Sequence, residues 1–356
     1  MKNTAPRVGM LLAIVTALVF VIHVPYVLLT PGPVFNTLGT SDSVPVVGIA
    51  GAKTYPTKGS LNMTTVSEYG GPQDNVTLFQ ALWGWVSAST VVIPRDSIYS
   101  PTETQQGTQL QNAADFSTSQ SNAIAAAMIH LNKPYTSEFA VTSVDSNAPA
   151  TGLLRAGDRL LEVDGDKVTS DIQVVRAVRD KPIGTKIHFK VNRNGVVKVI
   201  TVKSGPRPDL PATTDDESKM AYVGIMIGGL YSASFPITFG LQNVGGPSAG
   251  TMFALAIVDK LTPGPLTGGH MIAGTGTISE KGEVGAIGGI RQKMIGARRA
   301  GATLFLAPTK NCDEVVGHVP DGLTVVPVKT LDEAVSAIEG YNSGKQLEAC
   351  SAVLTD

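Results

Sequence analysis

Cysteine is almost absent from this chain. Its 356 residues hold two, Cys312 and Cys350, which excludes a disulfide-dense scaffold and a four-cysteine zinc site. The five histidines (positions 23, 130, 188, 270 and 318) are scattered and form no His-Glu-x-x-His or similar pair, so no metal and no other cofactor is expected. No Gly-Lys-Ser/Thr loop occurs, which excludes a Walker A nucleotide site. Charge is sparse, at 16%, and balanced: 28 Lys+Arg against 29 Asp+Glu give a net charge of −1. That disfavours a global polybasic nucleic-acid binder. No internal repeat is present. What remains is 43% apolar, enough for ordinary globular cores. The length suggests roughly two to three domains.

Charge is missing altogether from Val8 to Leu29. As a helix this stretch would rise about 33 Å, enough to cross a bilayer core. Lys2 and Arg7 precede it, and the next charge is Asp42. The sequence thus predicts a cytoplasmic N-terminus at 1–7, a transmembrane anchor at 8–30 and an extracytoplasmic remainder in a single-pass membrane protein. A cleaved signal peptide is the alternative; the run is longer than a usual signal core and lacks an A-x-A site. Outside the cytoplasm Cys312 and Cys350 can form one disulfide that ties down the tail, two free thiols being the alternative.

The exported part reads less clearly at first. Residues 60–66 alternate like a strand, and 74–86 place Leu78, Phe79, Leu82, Trp83 and Trp85 at helix-like spacing. The polar stretch 100–111 reads as a loop, and 117–131 as a helix capped by Ser117, Thr118 or Ser119. From 135 the pattern sharpens. Phe139–Val144 alternates, Asp164-Gly165 and Asn194-Gly195 mark hairpins, and Ile172, Val175 and Val178 give 171–180 one apolar helix face. The run Leu153-Leu154-Arg155-Ala156-Gly157-Asp158, the strand to Val163 and the late helix resemble a PDZ domain. PDZ domains bind an extended peptide as an added strand. The resemblance implies a groove between 139–144 and the 171–180 helix, with Phe139, Ala140, Val141, Thr142 and Val175 lining it. One departure is that no Gly-Φ-Gly-Φ loop precedes Phe139. A β-domain without a peptide ligand is the alternative. Residues 205–221, rich in proline and charge, read as a linker.

The chemistry-bearing segment follows. Gly245-Gly246-Pro247-Ser248-Ala249-Gly250 joins a short strand at 237–241 to an apolar helix. A serine at such a turn has backbone N–H groups and a positive helix end beside it, suited to an oxyanion. A plain helix start or a phosphate cradle is equally compatible with the turn alone. Downstream, Gly288-Gly289 opens a second helix carrying Lys293 beside Met294 and Ile295. A buried lysine there would lose solvation of its charged form and could take a serine's proton; a solvated lysine is the alternative.

Taken in order, Gly246–Gly250, Gly274–Ser279, Gly285–Lys293, Ala297–Gly301 and Thr303–Pro308 resemble the proteolytic domain of the Lon family, over 222–341. The resemblance implies Ser248 as nucleophile, Lys293 as general base and Thr275 as the residue that positions the lysine. Gly246, Pro247, Ala249 and Gly250 shape the oxyanion turn. Many Lon enzymes carry Asp three residues before the serine; here that place is Gly245. Lon also works with an ATPase module, and none is seen in this sequence. The layout is similar to the exported, membrane-anchored PDZ–Lon-like serine proteases of Gram-positive bacteria, including actinobacteria.

The expectation is therefore an α/β Lon-type proteolytic domain plus a small β-rich PDZ domain, preceded by one transmembrane helix. Residues 31–131 supply the early part of the protease domain, 132–204 the PDZ domain, 205–221 a linker, 222–341 the Lon-like body and 342–356 a tail. The function implied is ATP-independent endopeptidase activity on protein or peptide substrates, with a PDZ peptide ligand, no nucleic acid, and a hexamer by family resemblance. A non-enzymatic PDZ scaffold is the alternative.

Overall fold

The structure is a computed structural model and describes residues 5–100, 103–145, 147–193, 195–207, 220–241 and 244–354. The chain opens with helix α1 (Ala5–Val21), 17 residues long, with Met10, Leu12, Ile14, Leu18, Phe20 and Val21 exposed. A helix of that length rises about 26 Å, short of the roughly 30 Å of hydrocarbon in a bilayer. Among the described residues no helix is long and apolar enough to cross a membrane. The transmembrane helix at 8–30, the single-pass placement and the cytoplasmic N-terminus are corrected accordingly. The reason lies in the second half of the apolar run. The helix stops before Pro25, and Tyr26–Asn36 forms strand β1. Val27 and Leu28 are buried in the protein's own core, so apolar residues counted towards a span belong to an interior strand.

Strand β1 pairs antiparallel with β2 (Ser60–Tyr69). After helix α2 (Leu78–Val86), started by a Thr77–Gln80 capping box, it also pairs with β3 (Val91–Pro94). Helix α3 (Gln105–His130) follows. It begins well before 117, inside the stretch expected to be a loop. Thr104 Oγ1 caps it by accepting the Gly107 N–H at 3.1 Å, and the glutamines that follow are good helix formers.

Next come β4 (Tyr135–Val144), β5 (Arg159–Val163), helix α4 (Asp171–Arg179), β6 (Lys186–Arg193), β7 (Val196–Lys203) and β8 (Ile225–Ala233). They form a sheet in the order β7-β6-β5-β4-β8, with the short strand Asp166–Lys167 on β5. Leu154, Leu160, Ile187, Phe189 and Val202 fill its core against Val174 and Val178 of α4. Asp158, almost fully buried, is held by Arg193 through two hydrogen bonds of 2.6 Å. The expected linker at 205–221 lies largely outside the described residues, as does Asn194 of the expected hairpin turn. Gly205 and Tyr222, at the two ends of the linker, exchange backbone hydrogen bonds of 2.8 and 2.9 Å.

The last third contributes α5 (Gly250–Leu261), β9 (Met271–Gly274), α6 (Ile290–Arg299), β10 (Leu304–Pro308), β11 (Thr324–Val328) and α7 (Leu331–Asn342). These strands complete a six-stranded sheet in the order β11-β10-β9-β2-β1-β3. Strands β11, β10, β9 and β2 run parallel, with Met271 opposite Ser60 and Gly274 opposite Met63. Residues before and after the smaller sheet therefore share one hydrophobic core, in which Met63, Met128, Phe253, Leu255, Ile272 and Ile338 are buried together. Cys312 and Cys350 are disulfide-bonded, fixing the C-terminal segment against a second cluster that includes Ile290, Met294 and Phe305.

Candidate active site

Three short segments meet at the start of α5. The first is the turn 245–249. Gly246 has φ +81°, a conformation that suits glycine, and its N–H donates to Asn112 O at 2.9 Å. A Cβ on Gly245 would lie 2.8 Å from the Asn112 Cβ. Any side chain in this place would require α3 to shift. Ala249 caps α5 without a side-chain hydrogen bond. The amides of the first turn therefore have no intrahelical partner.

The second segment is the loop after β9. Gly276 N–H donates to Ser248 O at 2.9 Å, and Thr251 N–H donates to Gly276 O at 3.2 Å. Thr275, fully buried, donates its hydroxyl to Ser248 O at 3.1 Å, and its N–H reaches Leu306 O at 3.2 Å. Thr64 of β2, also buried, donates to Gly274 O at 3.1 Å. The loop is thus stitched to the serine turn on one side and to the sheet on the other.

The third segment is α6. Gly289 takes φ +69° at its start, and Lys293 N–H accepts its place in the first turn by donating to Gly289 O at 3.1 Å. Asn311 fixes the preceding loop, accepting from Ile287 N–H at 3.0 Å and donating to Ile287 O at 2.8 Å. The helix is amphipathic, with Ile290, Met294 and Ala297 packed in the core. Lys293 follows that buried face inward and is 2% exposed.

The result is one short constellation. Lys293 Nζ donates to Ser248 Oγ at 2.7 Å and to Thr275 Oγ1 at 3.0 Å. Burial lowers the Lys293 pKa from 10.5 to about 7, because the charged form loses its hydration and no carboxylate replaces it. Ser248 stays half-buried, and Pro247 is exposed, so the hydroxyl lies at the surface and the amine beneath it. A neutral amine in contact with a hydroxyl at a helix N-terminus can generate a nucleophile and hold the charge that develops on attack. Of the residues singled out from sequence, Ser248, Lys293 and Thr275 are brought into contact, with Gly246, Pro247, Ala249 and Gly250 forming the turn around them. Asn112, Thr64 and Asn311, which position these segments, carry no local sequence signal; Ser119, expected with Ser117 and Thr118 as a helix cap, lies inside α3 and donates to Pro247 O at 2.9 Å.

The sequence-derived PDZ groove needs correction. Phe139–Thr142 lie in β4, which is paired with β5 on one side and β8 on the other, so no peptide can add there. Among the described residues strand β8 is the sheet edge. A groove of about 720 Å³ runs beside it, lined by Val174, Val175 and Val178 of α4 and by the segment Tyr222 to Ile227. Val175 alone of the five expected residues lines it. Gly224, flanked by apolar residues, has φ +71°, and a Cβ there would overlap Ala148. The groove-lining turn Val223-Gly224-Ile225 lies after the helix and holds one glycine rather than a Gly-Φ-Gly-Φ run.

Two family models match parts of the chain. Residues 240–339 match the Lon protease (S16) C-terminal proteolytic domain, and residues 107–204 match the PDZ domain. Lon protease 2 of Herpetosiphon aurantiacus is 43% identical over 93 residues, 25% of this chain and 11% of that protein. Lon protease of Vibrio parahaemolyticus is 38% identical over 108 residues, 29% of this chain and 14% of that protein. The chain therefore spans only a small part of the curated relatives it matches. Among solved structures, the PDZ domain of an SdrC-like protein from Listeria innocua is 23% identical, covering 25% of this chain and 92% of that one, with a TM-score of 0.22. The chain carries a Lon protease C-terminal proteolytic domain and a PDZ domain.

Proposed function

We propose that this chain is a serine endopeptidase in which Ser248 and Lys293 form a catalytic dyad that needs no ATP for the hydrolytic step. The observation that carries the reading is the 2.7 Å contact between Lys293 Nζ and Ser248 Oγ, made by an amine whose pKa burial lowers to about 7. Neutral Lys293 takes the hydroxyl proton as Ser248 Oγ attacks the scissile carbonyl. The carbonyl oxygen, now negative, is held by backbone N–H groups at the N-terminus of α5. Lys293, now an ammonium, gives the proton to the leaving amine, and an acyl-serine ester remains. Water then attacks the ester, with Lys293 accepting its proton and returning it to Ser248 Oγ. Thr275 holds the amine through Oγ1 while donating to Ser248 O, so both partners of the dyad are oriented by one side chain.

The PDZ domain is proposed to take an extended peptide along the edge that β8 forms among the described residues, with apolar side chains against Val174, Val175 and Val178. Substrates would be unfolded chains, flexible loops or exposed termini, which can present an extended backbone to the groove and to the serine turn.

The test uses the whole chain beside Ser248→Ala and Lys293→Ala, each incubated without ATP with an unfolded protein, fragments being followed by mass spectrometry. Cleavage by the parent and by neither variant is expected. Equal cleavage by either variant would remove the dyad.

A further inference from the structure

Helix α3 touches both the serine turn and the peptide-groove strand, and it does so through two serines. Ser119 Oγ donates to Pro247 O at 2.9 Å, one residue before the nucleophile. Ser121 Oγ accepts the Tyr231 N–H of β8 at 2.6 Å. Two residues along a helix turn the side chain through about 200°, so these hydroxyls leave opposite faces of α3. Both are buried, 3% and 5% exposed, and both reach out of the helix to another element. On the Ser119 face, Asn112 O accepts from Gly246 N–H at 2.9 Å, Phe116 packs edge-on against Phe253 of α5 at 5.7 Å, and Asn122 Nδ2 donates to Ile278 O at 3.0 Å. A Cβ on Gly250 would lie 2.8 Å from Ser119 Oγ, so the hydroxyl sits directly against the start of α5.

The strand end of the link is equally direct. Ile225–Ile227 of β8 line the groove, and Tyr231 lies four residues further along the same strand, about 13 Å away. Throughout that distance β8 is paired with β4, so it moves as a ribbon rather than as a flexible tether.

We infer that Ser119 and Ser121 are positioning residues that couple the peptide groove to the nucleophile turn: a peptide strand added to β8 is felt at Ser248 through α3. The inference rests on the groove assigned to β8 under Proposed function. Strand addition fixes the twist of β8 and the position of Tyr231. Ser121 passes that position to α3, and Ser119 passes it to Pro247. A displacement of an ångström at the turn is enough to change a hydrolysis rate by orders of magnitude.

The experiment occupies the groove by tethering, independently of affinity. The whole chain with Val175→Cys carries, through a maleimide, the hexapeptide Ala-Val-Thr-Val-Thr-Val; the same variant capped with N-ethylmaleimide is the control. Amide hydrogen exchange is read at 225–229 and at 244–250. The tethered peptide is expected to protect 225–229 and to slow exchange at 244–250 by about fivefold. In the same protein with Ser121→Ala the first protection persists and the second is lost, while Ser121→Thr, which keeps the acceptor, retains both. Protection at 225–229 with 244–250 unchanged overturns the coupling alone, as does a response that survives Ser121→Ala. No protection at 225–229 overturns the strand-addition reading and the coupling with it. Neither readout depends on the dyad being active.

Discussion

Lys293 is the residue on which chemistry and stability pull in opposite directions. Its pKa is about 7 in the folded chain and 10.5 when solvated. The amine is neutral, and able to act as a base, only above the lower value. Peptidase activity is therefore expected to rise with pH through about 7 and to level off above it, which a pH–rate profile on a peptide substrate would check. The same shift makes folding release a proton. Between about pH 7 and 10.5 the unfolded chain binds more protons than the folded one, so stability contributed at this site rises with pH over that window. Below pH 7 the folded chain holds a buried ammonium at its full cost. Lys293→Met, similar in length and uncharged, is expected to raise Tm by roughly several degrees at pH 6 and by less at pH 9. A gap of the same size at both values would mean that the amine is better hydrated than its burial implies.

At the scale of elements, close packing around the serine turn sets the tolerance. A Cβ on Gly250 would lie 2.7 Å from Ile278 Cγ2 and 3.2 Å from the backbone N of Ile278. Gly250→Ala is expected to cost about 1–3 kcal/mol in urea unfolding and to lower activity more than Tm suggests, because α5 must shift away from the 274–278 loop. The disulfide acts at the other end of the domain. Cys312 and Cys350 are separated by 38 residues, and Cys350→Ser is expected to lose about 2–4 kcal/mol while leaving the dyad contact in place. Intact activity with a lowered Tm would show this. The same scale explains what could be read from sequence. Ser248 and Lys293 could be singled out because ordered blocks from Gly246 to Pro308 resemble one family; the Gly-rich turn and the helix start each left alternatives open. Their partners could not, because Ser119 lies 128 residues from Pro247 and Thr64 lies 210 from Gly274. The apolar stretch ending at Leu29 was misread for a different reason. A strand buried in a sheet and a membrane span share a composition, and hydropathy does not separate them. The cavity beside β8 was not anticipated because the segment that lines it, Tyr222 to Ile227, follows the helix in the chain, and the sequence pattern was sought before the first strand.

At the scale of the molecule, the smaller sheet is an excursion from the larger body. Strands β4 and β8 leave and re-enter side by side, with Glu138 opposite Leu230. Replacing 139–229 by Asn-Gly should close them into a hairpin. We expect the shortened chain to fold and to cleave an unfolded protein within about tenfold of the parent, since none of the dyad's contacts is removed. Circular dichroism and a fragment assay would check this, and an unfolded product would mean that the larger body depends on the smaller for its stability. The arrangement also has a temporal side. Strand β2 can find its parallel neighbour β9 only after the intervening chain, some 210 residues, has been made. Such distant pairing forms late, whereas the smaller sheet closes by nearby hairpins and can form first. During synthesis the serine turn emerges before its lysine and before β10, whose Leu306 O accepts the Thr275 N–H. The hydroxyl is an ordinary alcohol until the 45 residues that separate Ser248 from Lys293 have followed it.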